Sequence, residues 1–267
     1  MTEVASIVLG AGEGRRLRPI TDRLPKALCT VANVSLARWA LETPVAAGLR
    51  GAVNVHHHAG QVAEHVRDLD VFVSVEVPEA LGTAGALAQL APWLDGAHAL
   101  VHNADAWIPE PPADFVTGWD GRRPRLLVRR TGGVSDFGPF RFLGLSLLPH
   151  ADVIRLKAEP TGLYEVVWRD AWERGDLELV EHAGIAFDVG TPERLLAANL
   201  AAGSGQSFVH PTADVRAPLR SGVALPGAVV PEQDELAFCV CGPGELVLPC
   251  DPEAVARELA LGRGELD

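Results

Sequence analysis

Glycines at alternate positions, Gly10, Gly12 and Gly14, followed by Arg16 and then by Lys26, equip the first stretch of this chain to hold phosphate. Glycine lets backbone amides approach phosphate oxygens closely, Arg16 adds a planar fork of donors, and Lys26 adds a compact charge. Arginine is the ordinary cation here, since Lys26 and Lys157 are the two lysines of the chain. Between Glu13 and Lys26, five basic side chains stand against two acidic ones, although a solvated basic face is the other reading of that count. Two common phosphate loops do not fit. The third glycine of GxGxxG falls on Arg15 or Leu17, and Lys26 follows Pro25 rather than the glycine of a P-loop.

Asp105 follows the apolar run Ala97 to Val101, and Asp188 lies between apolar Ile185 to Phe187 and Val189-Gly190, a poor setting for an unpaired charge. A shared cation accounts for both acids; helix-capping aspartates are the alternative. His56, His57 and His58 are adjacent, so their rings point apart and do not converge on one ion. The four cysteines, Cys29, Cys239, Cys241 and Cys250, have neither a disulfide framework nor a CxxC pair and read as free thiols.

The elements that must position these groups alternate. An apolar run from Val4 to Leu9 reads as a buried strand feeding the glycine loop, and a helix follows from Ser35 to Ala47, which Pro44 should kink or end. Strands near 51–55, 71–77 and 97–101 alternate with helices near 61–67 and 84–94; a β-rich stretch at 124–148 precedes a helix at 164–174, strands near 177–180 and 185–187, and a helix at 192–202. This order predicts a doubly wound, mostly parallel α/β sheet, Rossmann-like, with ligands at the carboxyl ends of its strands. Gly203-Ser-Gly-Gln marks a boundary, giving expected domains of 1–203 and 204–267.

The charge of −12 disfavours nucleic acid and anionic membranes, and no apolar run reaches the length of a membrane span, so a soluble cytoplasmic protein is expected. Residues 208–230 space apolar residues at about six, like the hexapeptide turns of a left-handed β-helix, with an antiparallel β appendage as the alternative. A terminal helix capped by Asp251, with Val255, Leu259 and Ala260 on one face, is expected to cover the coil end unless a second subunit does so in a homo-oligomer.

The segment LGAGEGRRLRPITDRLPKAL, residues 9–28, resembles the N-terminal motif of the sugar-1-phosphate nucleotidyltransferases, usually AAGxGxRLxPLTxxxPKPL. Gly10 stands where alanine is usual, and Ala27 where proline is. The resemblance continues at Asn54-Val-His-His-His, at Pro78-Glu-Ala-Leu-Gly-Thr-Ala-Gly, at His102-Asn-Ala-Asp105, at Phe142-Leu-Gly-Leu and at Phe187-Asp-Val-Gly-Thr-Pro-Glu, covering roughly residues 1 to 202. Asn103-Ala104-Asp105 replaces the usual Asn-Gly-Asp. The wording around Glu79 and Leu81 to Gly85 is most like the mannose-1-phosphate guanylyltransferases, while the N-acetylmuramate 1-phosphate uridylyltransferases match the first half well.

This resemblance implies an enzyme that joins a nucleoside triphosphate to a sugar 1-phosphate, releasing pyrophosphate, with GTP and mannose 1-phosphate favoured over a uridylyl transfer to another sugar phosphate. It implies catalytic Arg16, Lys26, Asp105 and Asp188. The nucleotide falls to Leu9, Gly10, Ala11, Gly12, Gly14, Arg16, Lys26, Glu79, Gly82 and Thr83, and the sugar phosphate to Asn103, Gly144 and Asp188. Mg²⁺ is expected on Asp105 and Asp188. The Glu-Lys-Pro lysine with which some members hold the sugar phosphate is absent, leaving Arg129, Arg130 or Arg141 as substitutes and Lys157 as an exposed loop residue. A catalytically silent nucleotide-sugar sensor is the competing expectation; it should lack the metal carboxylates, and both are present.

Overall fold

The computed structural model describes residues 3–265. Its elements run β1 (Val4–Leu9), α1 (Leu36–Ala46), β2 (Gly51–Val55), α2 (Ala59–His65), β3 (Val71–Val75), α3 (Gly82–Leu94), β4 (His98–Asn103) and β5 (Ala106–Trp107). There follow β6 (Arg125–Ser135), β7 (Gly138–Leu148), α4 (Arg169–Arg174), β8 (Glu178–Glu181), β9 (Phe187–Asp188), α5 (Pro192–Ala202) and α6 (Pro252–Arg263).

Seven strands form one sheet in the order β8-β6-β7-β4-β1-β2-β3. The β4-β1-β2-β3 half and the β8-β6 pair are parallel, while β7 runs antiparallel to both its neighbours. Alternation along β1 divides the core between two faces. Ala5 and Ile7 meet Leu87 and Leu90 of α3 on one side, and Val8 meets Leu36, Leu41 and Leu195 of α1 and α5 on the other. Each fully buried leucine contributes roughly 2 kcal/mol. The expected mostly parallel α/β architecture, with helices on both faces, is the one observed.

Three caps set where helices begin. Ser35 Oγ accepts from the Arg38 N–H, Thr191 Oγ1 from the Arg194 N–H, and Asp251 Oδ1 from the Glu253 N–H. Helix α1 does not end at Pro44 but continues two residues past it, the proline falling in its last turn, where it removes a single N–H. The β-rich stretch expected at 124–148 is observed as β6 and β7, which form a long hairpin.

Beyond Gly203 the chain forms a coil of short strands stacked mainly in parallel. Phe208 pairs with Val223 and Val223 with Val240; Asp214 pairs with Val229, and Leu219 with Leu236. The last pair, Cys239–Cys241 with Val247–Pro249, is antiparallel. Val223, Leu225, Val240 and Val255 enter the same core as Leu17, Ile20 and Leu36, so the coil shares the interior of the α/β unit. The terminal helix α6 packs along α5, with Val255 and Leu259 in the core that also takes Val223, Leu225 and Val240 of the coil.

Candidate active site

The glycine loop leaves the carboxyl end of β1 and folds back on itself. Gly14 has φ +64°, and a Cβ there would lie 2.8 Å from Thr21 Cγ2 and 3.0 Å from Lys26 Cβ, so glycine is required for Lys26 to tuck beneath the loop. Thr21 Oγ1 closes the turn by donating to Gly14 O at 2.9 Å. Gly12 has open space around it. Leu9, Gly10, Ala11, Gly12, Gly14, Arg16, Lys26, Gly82 and Thr83 line one cleft of about 370 Å³, together with Asn103, Asp105 and Gly190.

A buried relay fixes the far wall of this cleft. Asn54 Oδ1 accepts from the Gly10 N–H at 2.8 Å, and Asn54 Nδ2 donates to Glu76 Oε1 at 2.6 Å. Glu76, wholly buried, then accepts at Oε2 from the Leu81 N–H, one residue before α3. Three strand ends are thereby tied to one another, with every partner satisfied. Sequence reasoning missed Glu76; the signal available was a charged residue at the end of a strand, six positions before a helix start.

Gly82 stands among the residues that the resemblance gives to the nucleotide. Gly82 does line the cleft, but the close approach is internal: a Cβ on Gly82 would sit 2.5 Å from Thr161 O, and one on Gly85 would sit 2.3 Å from Glu159 O. Thr83 Oγ1 accepts from the Leu163 N–H. Glu79 is exposed and lies outside the lining of the cleft.

Asp105 and Asp188 are brought together by β5 and β9, which pair antiparallel with Asp188 opposite Ala106, while the Val189 N–H donates to Asp105 O at 2.7 Å. Asp105 Oδ2 lies 2.7 Å from Lys26 Nζ. Asp188 Oδ2 lies 2.7 Å from Arg194 Nη1 and 3.8 Å from Arg16 Nη2. Contrary to the apolar setting that its neighbours implied, Asp188 is half exposed, because Phe187 and Val189 turn inward and leave the aspartate facing the cleft. Ala104 is buried and has no positive φ, so the glycine usual at this position is not needed here.

Hard carboxylate oxygens, from Asp105 in the turn between β4 and β5 and from Asp188 on β9, fit Mg²⁺, which is commonly held by one or two carboxylates together with substrate phosphates and water. Among the described residues no group of three or more His, Cys, Asp or Glu side chains is arranged to hold a metal. Of the three adjacent histidines, the His56 ring meets Glu76 O and His57 meets Thr21 O, while the His57 and His58 rings, expected to point apart, pack edge to face with centroids 4.1 Å apart. His102, buried behind Asp105, bonds through Nε2 to Ala106 O, and burial pushes it down to about 4.

A second cleft, of about 470 Å³, shares Arg16, Asn103 and Asp105 with the first and extends past Gly144 and Asp188. Gly144, at φ +96°, is needed because a Cβ would come within 2.4 Å of Ala106 Cβ, where β7 passes β5. Arg129 and Arg141 are cross-strand partners on β6 and β7 in this cleft. Burial, and then Arg141, hold the Arg129 guanidinium below the usual arginine range. Arg129 is occupied by backbone carbonyls and Arg130 by Glu181, whereas Arg141 has no ion pair among the described residues. Lys157 lines a separate cleft beside Arg122 and Arg155, away from both.

The sequence model of the Nucleotidyl transferase family matches residues 5–124. An N-acetylmuramate α-1-phosphate uridylyltransferase of Caulobacter vibrioides is 36% identical over 164 residues, which span 57% of this chain and 67% of that protein. Its counterpart from Neisseria meningitidis is 28% identical over 74% of this chain and 98% of that protein. A mannose-1-phosphate guanylyltransferase catalytic subunit beta of Danio rerio is 24% identical over 72% of this chain and 62% of that protein. A solved structure described as a glucose-1-phosphate thymidylyltransferase from Bacillus anthracis shares the fold, with TM-score 0.64 and 19% identity over 74% of this chain and 95% of that one. No helix among the described residues is long and apolar enough to cross a membrane.

Proposed function

The chain belongs to the sugar-1-phosphate nucleotidyltransferases, and from that premise we propose that it transfers a uridylyl group from UTP to a sugar 1-phosphate carrying a second anionic group, N-acetylmuramate 1-phosphate being one of that kind. The observation that carries this reading is Arg141, a guanidinium without an ion-pair partner among the described residues, facing Arg129 in the second cleft. Two arginines side by side repel one another, and an anion at Arg141 relieves the repulsion while matching its planar donors, those of Arg129 being held by the Leu261, Gly262 and Gly184 carbonyls.

In this reading the first cleft takes the nucleoside triphosphate and the second takes the acceptor, with the reacting atoms meeting at their shared residues, Arg16, Asn103 and Asp105. A phosphate oxygen of the acceptor attacks the α-phosphorus, and pyrophosphate leaves in line. The acceptor phosphate is already largely dianionic near neutral pH, with a second pKa of about 6, so no general base is needed. The barrier is anion meeting anion, and the protein lowers it by holding both substrates and by opposing the developing charge. Arg16 and Lys26 grip the triphosphate, the Gly10 and Gly12 backbone approaches it, and Arg141 orients the acceptor. Mg²⁺ on Asp105 and Asp188 would supply further charge neutralisation at the transferred phosphate.

The sequence favoured GTP with mannose 1-phosphate. The guanylyltransferase relative and the wording at Leu81 to Gly85 still support that as the second reading, but the exposure of Glu79 outside the cleft weakens it. Pyrophosphate release from UTP and GTP, each with N-acetylmuramate, mannose and glucose 1-phosphates and Mg²⁺, tests the choice. The first pairing should dominate, and Arg141→Ala should raise its KM about tenfold or more while sparing KM for UTP. Preference for a neutral sugar would overturn the acidic-acceptor reading, and no release from any pair would favour the sensor.

A further inference from the structure

Helix α6 returns from the end of the coil to the second cleft, where Glu258, Leu261 and Gly262 form part of the lining. Three separate anchors hold it there. Arg129 Nη1 donates to Leu261 O at 2.6 Å and to Gly262 O at 3.3 Å, placing a cation on the orphan carbonyls at the helix C-terminus, while its other nitrogen meets Gly184 O. The Ala186 N–H donates to Gly262 O at 2.9 Å. Gly262 lies so close to the Phe187 ring that a Cβ there would fall 2.2 Å from its atoms. Phe187 immediately precedes Asp188, so the helix leans on the strand that carries the carboxylate.

One side chain links the helix to that carboxylate. Arg194, in the first turn of α5, reaches Asp188 Oδ2 through Nη1 at 2.7 Å and Glu258 Oε2 through Nε at 3.1 Å. Arg194 and Glu258 are each mostly buried, at 29% and 19% side-chain exposure, so their geometry is constrained more than that of a surface pair. Glu258 holds the outer edge of the guanidinium and divides its charge between two carboxylates. Without Glu258, Arg194 is free to swing or to neutralise Asp188 alone.

We propose that α6 is a built wall of the acceptor cleft and that Glu258, acting through Arg194, is a positioning residue for Asp188, a role that rests on the reading of this cleft as the acceptor site. The coil of short strands then has a definite task, which is to carry the chain back so that its last helix closes that cleft.

The test uses full-length Glu258→Ala, Glu258→Gln and Gly262→Ala with UTP and N-acetylmuramate 1-phosphate, and measures amide hydrogen exchange over residues 186–190. Glu258→Ala should raise KM for the acceptor about tenfold and leave KM for UTP within about twofold. Glu258→Gln, which keeps a neutral hydrogen bond to Arg194, should fall between it and the wild type. Exchange at Val189 and Gly190 should quicken in Glu258→Ala and Gly262→Ala. An equal rise in both KM values, tracking loss of thermal stability, would overturn the positioning role, as would unchanged exchange at 186–190. If the wild type transfers nothing to any sugar 1-phosphate, the functional reading fails by itself, and the exchange measurement still decides whether Glu258 and α6 hold the Asp188 strand.

Discussion

Lys26 Nζ and Asp105 Oδ2 lie 2.7 Å apart across the mouth of the first cleft, joining the phosphate loop to the end of the central strand β4. In the proposed function, a triphosphate entering the cleft would compete with Asp105 for the lysine, and the carboxylate so released would be available to a cation.

Removing either partner should therefore affect turnover far more than folding. The pair is part-exposed and contributes about 1 kcal/mol or less to stability. Lys26→Ala and Asp105→Ala are each expected to lose on the order of a hundredfold or more in kcat while melting within a few degrees of wild type. Steady-state kinetics beside thermal melts of the same preparations check this, and a large fall in Tm with retained kcat would contradict it.

Asp188 stands apart from Lys26 but shares the cation role assigned to Asp105. Chelation of divalent ions should abolish transfer, and Mg²⁺ should restore it. Asp188→Ala should need much more Mg²⁺ for half-maximal rate and reach a lower maximum. Near-native turnover of this variant at limiting Mg²⁺ would rule out the two-carboxylate site.

Glu76 does not itself line the first cleft, yet it holds Asn54, which does, and the Leu81 N–H at the entry to α3. Glu76→Ala leaves the Asn54 amide and the Leu81 N–H without their buried acceptor, a loss of roughly 2–4 kcal/mol. Denaturant unfolding should register that loss, and the variant that still folds should show a raised KM for the nucleotide because Gly10 loses its fixed partner.

His102 gives the stability a defined acid limb. Burial holds the folded imidazole at about 4 against an ordinary 6.5, so the unfolded chain takes up a proton that the folded one refuses. Nothing is lost above pH 6.5. Between 6.5 and 4 the folded state forfeits about 3 kcal/mol from this group, and the effect levels off below the folded value. His102→Gln should show a shallower decline over that window in unfolding measured as a function of pH; identical slopes would show that other groups set the limb.

Local pattern alone determined much of this protein. The glycine loop, its basic residues, the strand and helix order through Ala202, and the cap at Asp251 were legible because loops, caps and apolar periodicity are written in neighbouring residues. Asp105 and Asp188 were legible as a pair through the resemblance and through their positions after apolar runs. What only the tertiary structure decided involves residues far apart in sequence. Antiparallel pairing of β5 with β9 makes the two aspartates neighbours, and the relay from Gly10 through Asn54 and Glu76 to Leu81 exists because three strand ends lie side by side. Gly82 and Gly85 proved to accommodate the 159–161 backbone, a contact that no local spacing announces. Most of all, α6 could be read as a helix from its cap and its apolar face, but its partner could not: an amphipathic stripe specifies that a face must be buried, and only the course of the coil and the packing along α5 bring Glu258 to Arg194.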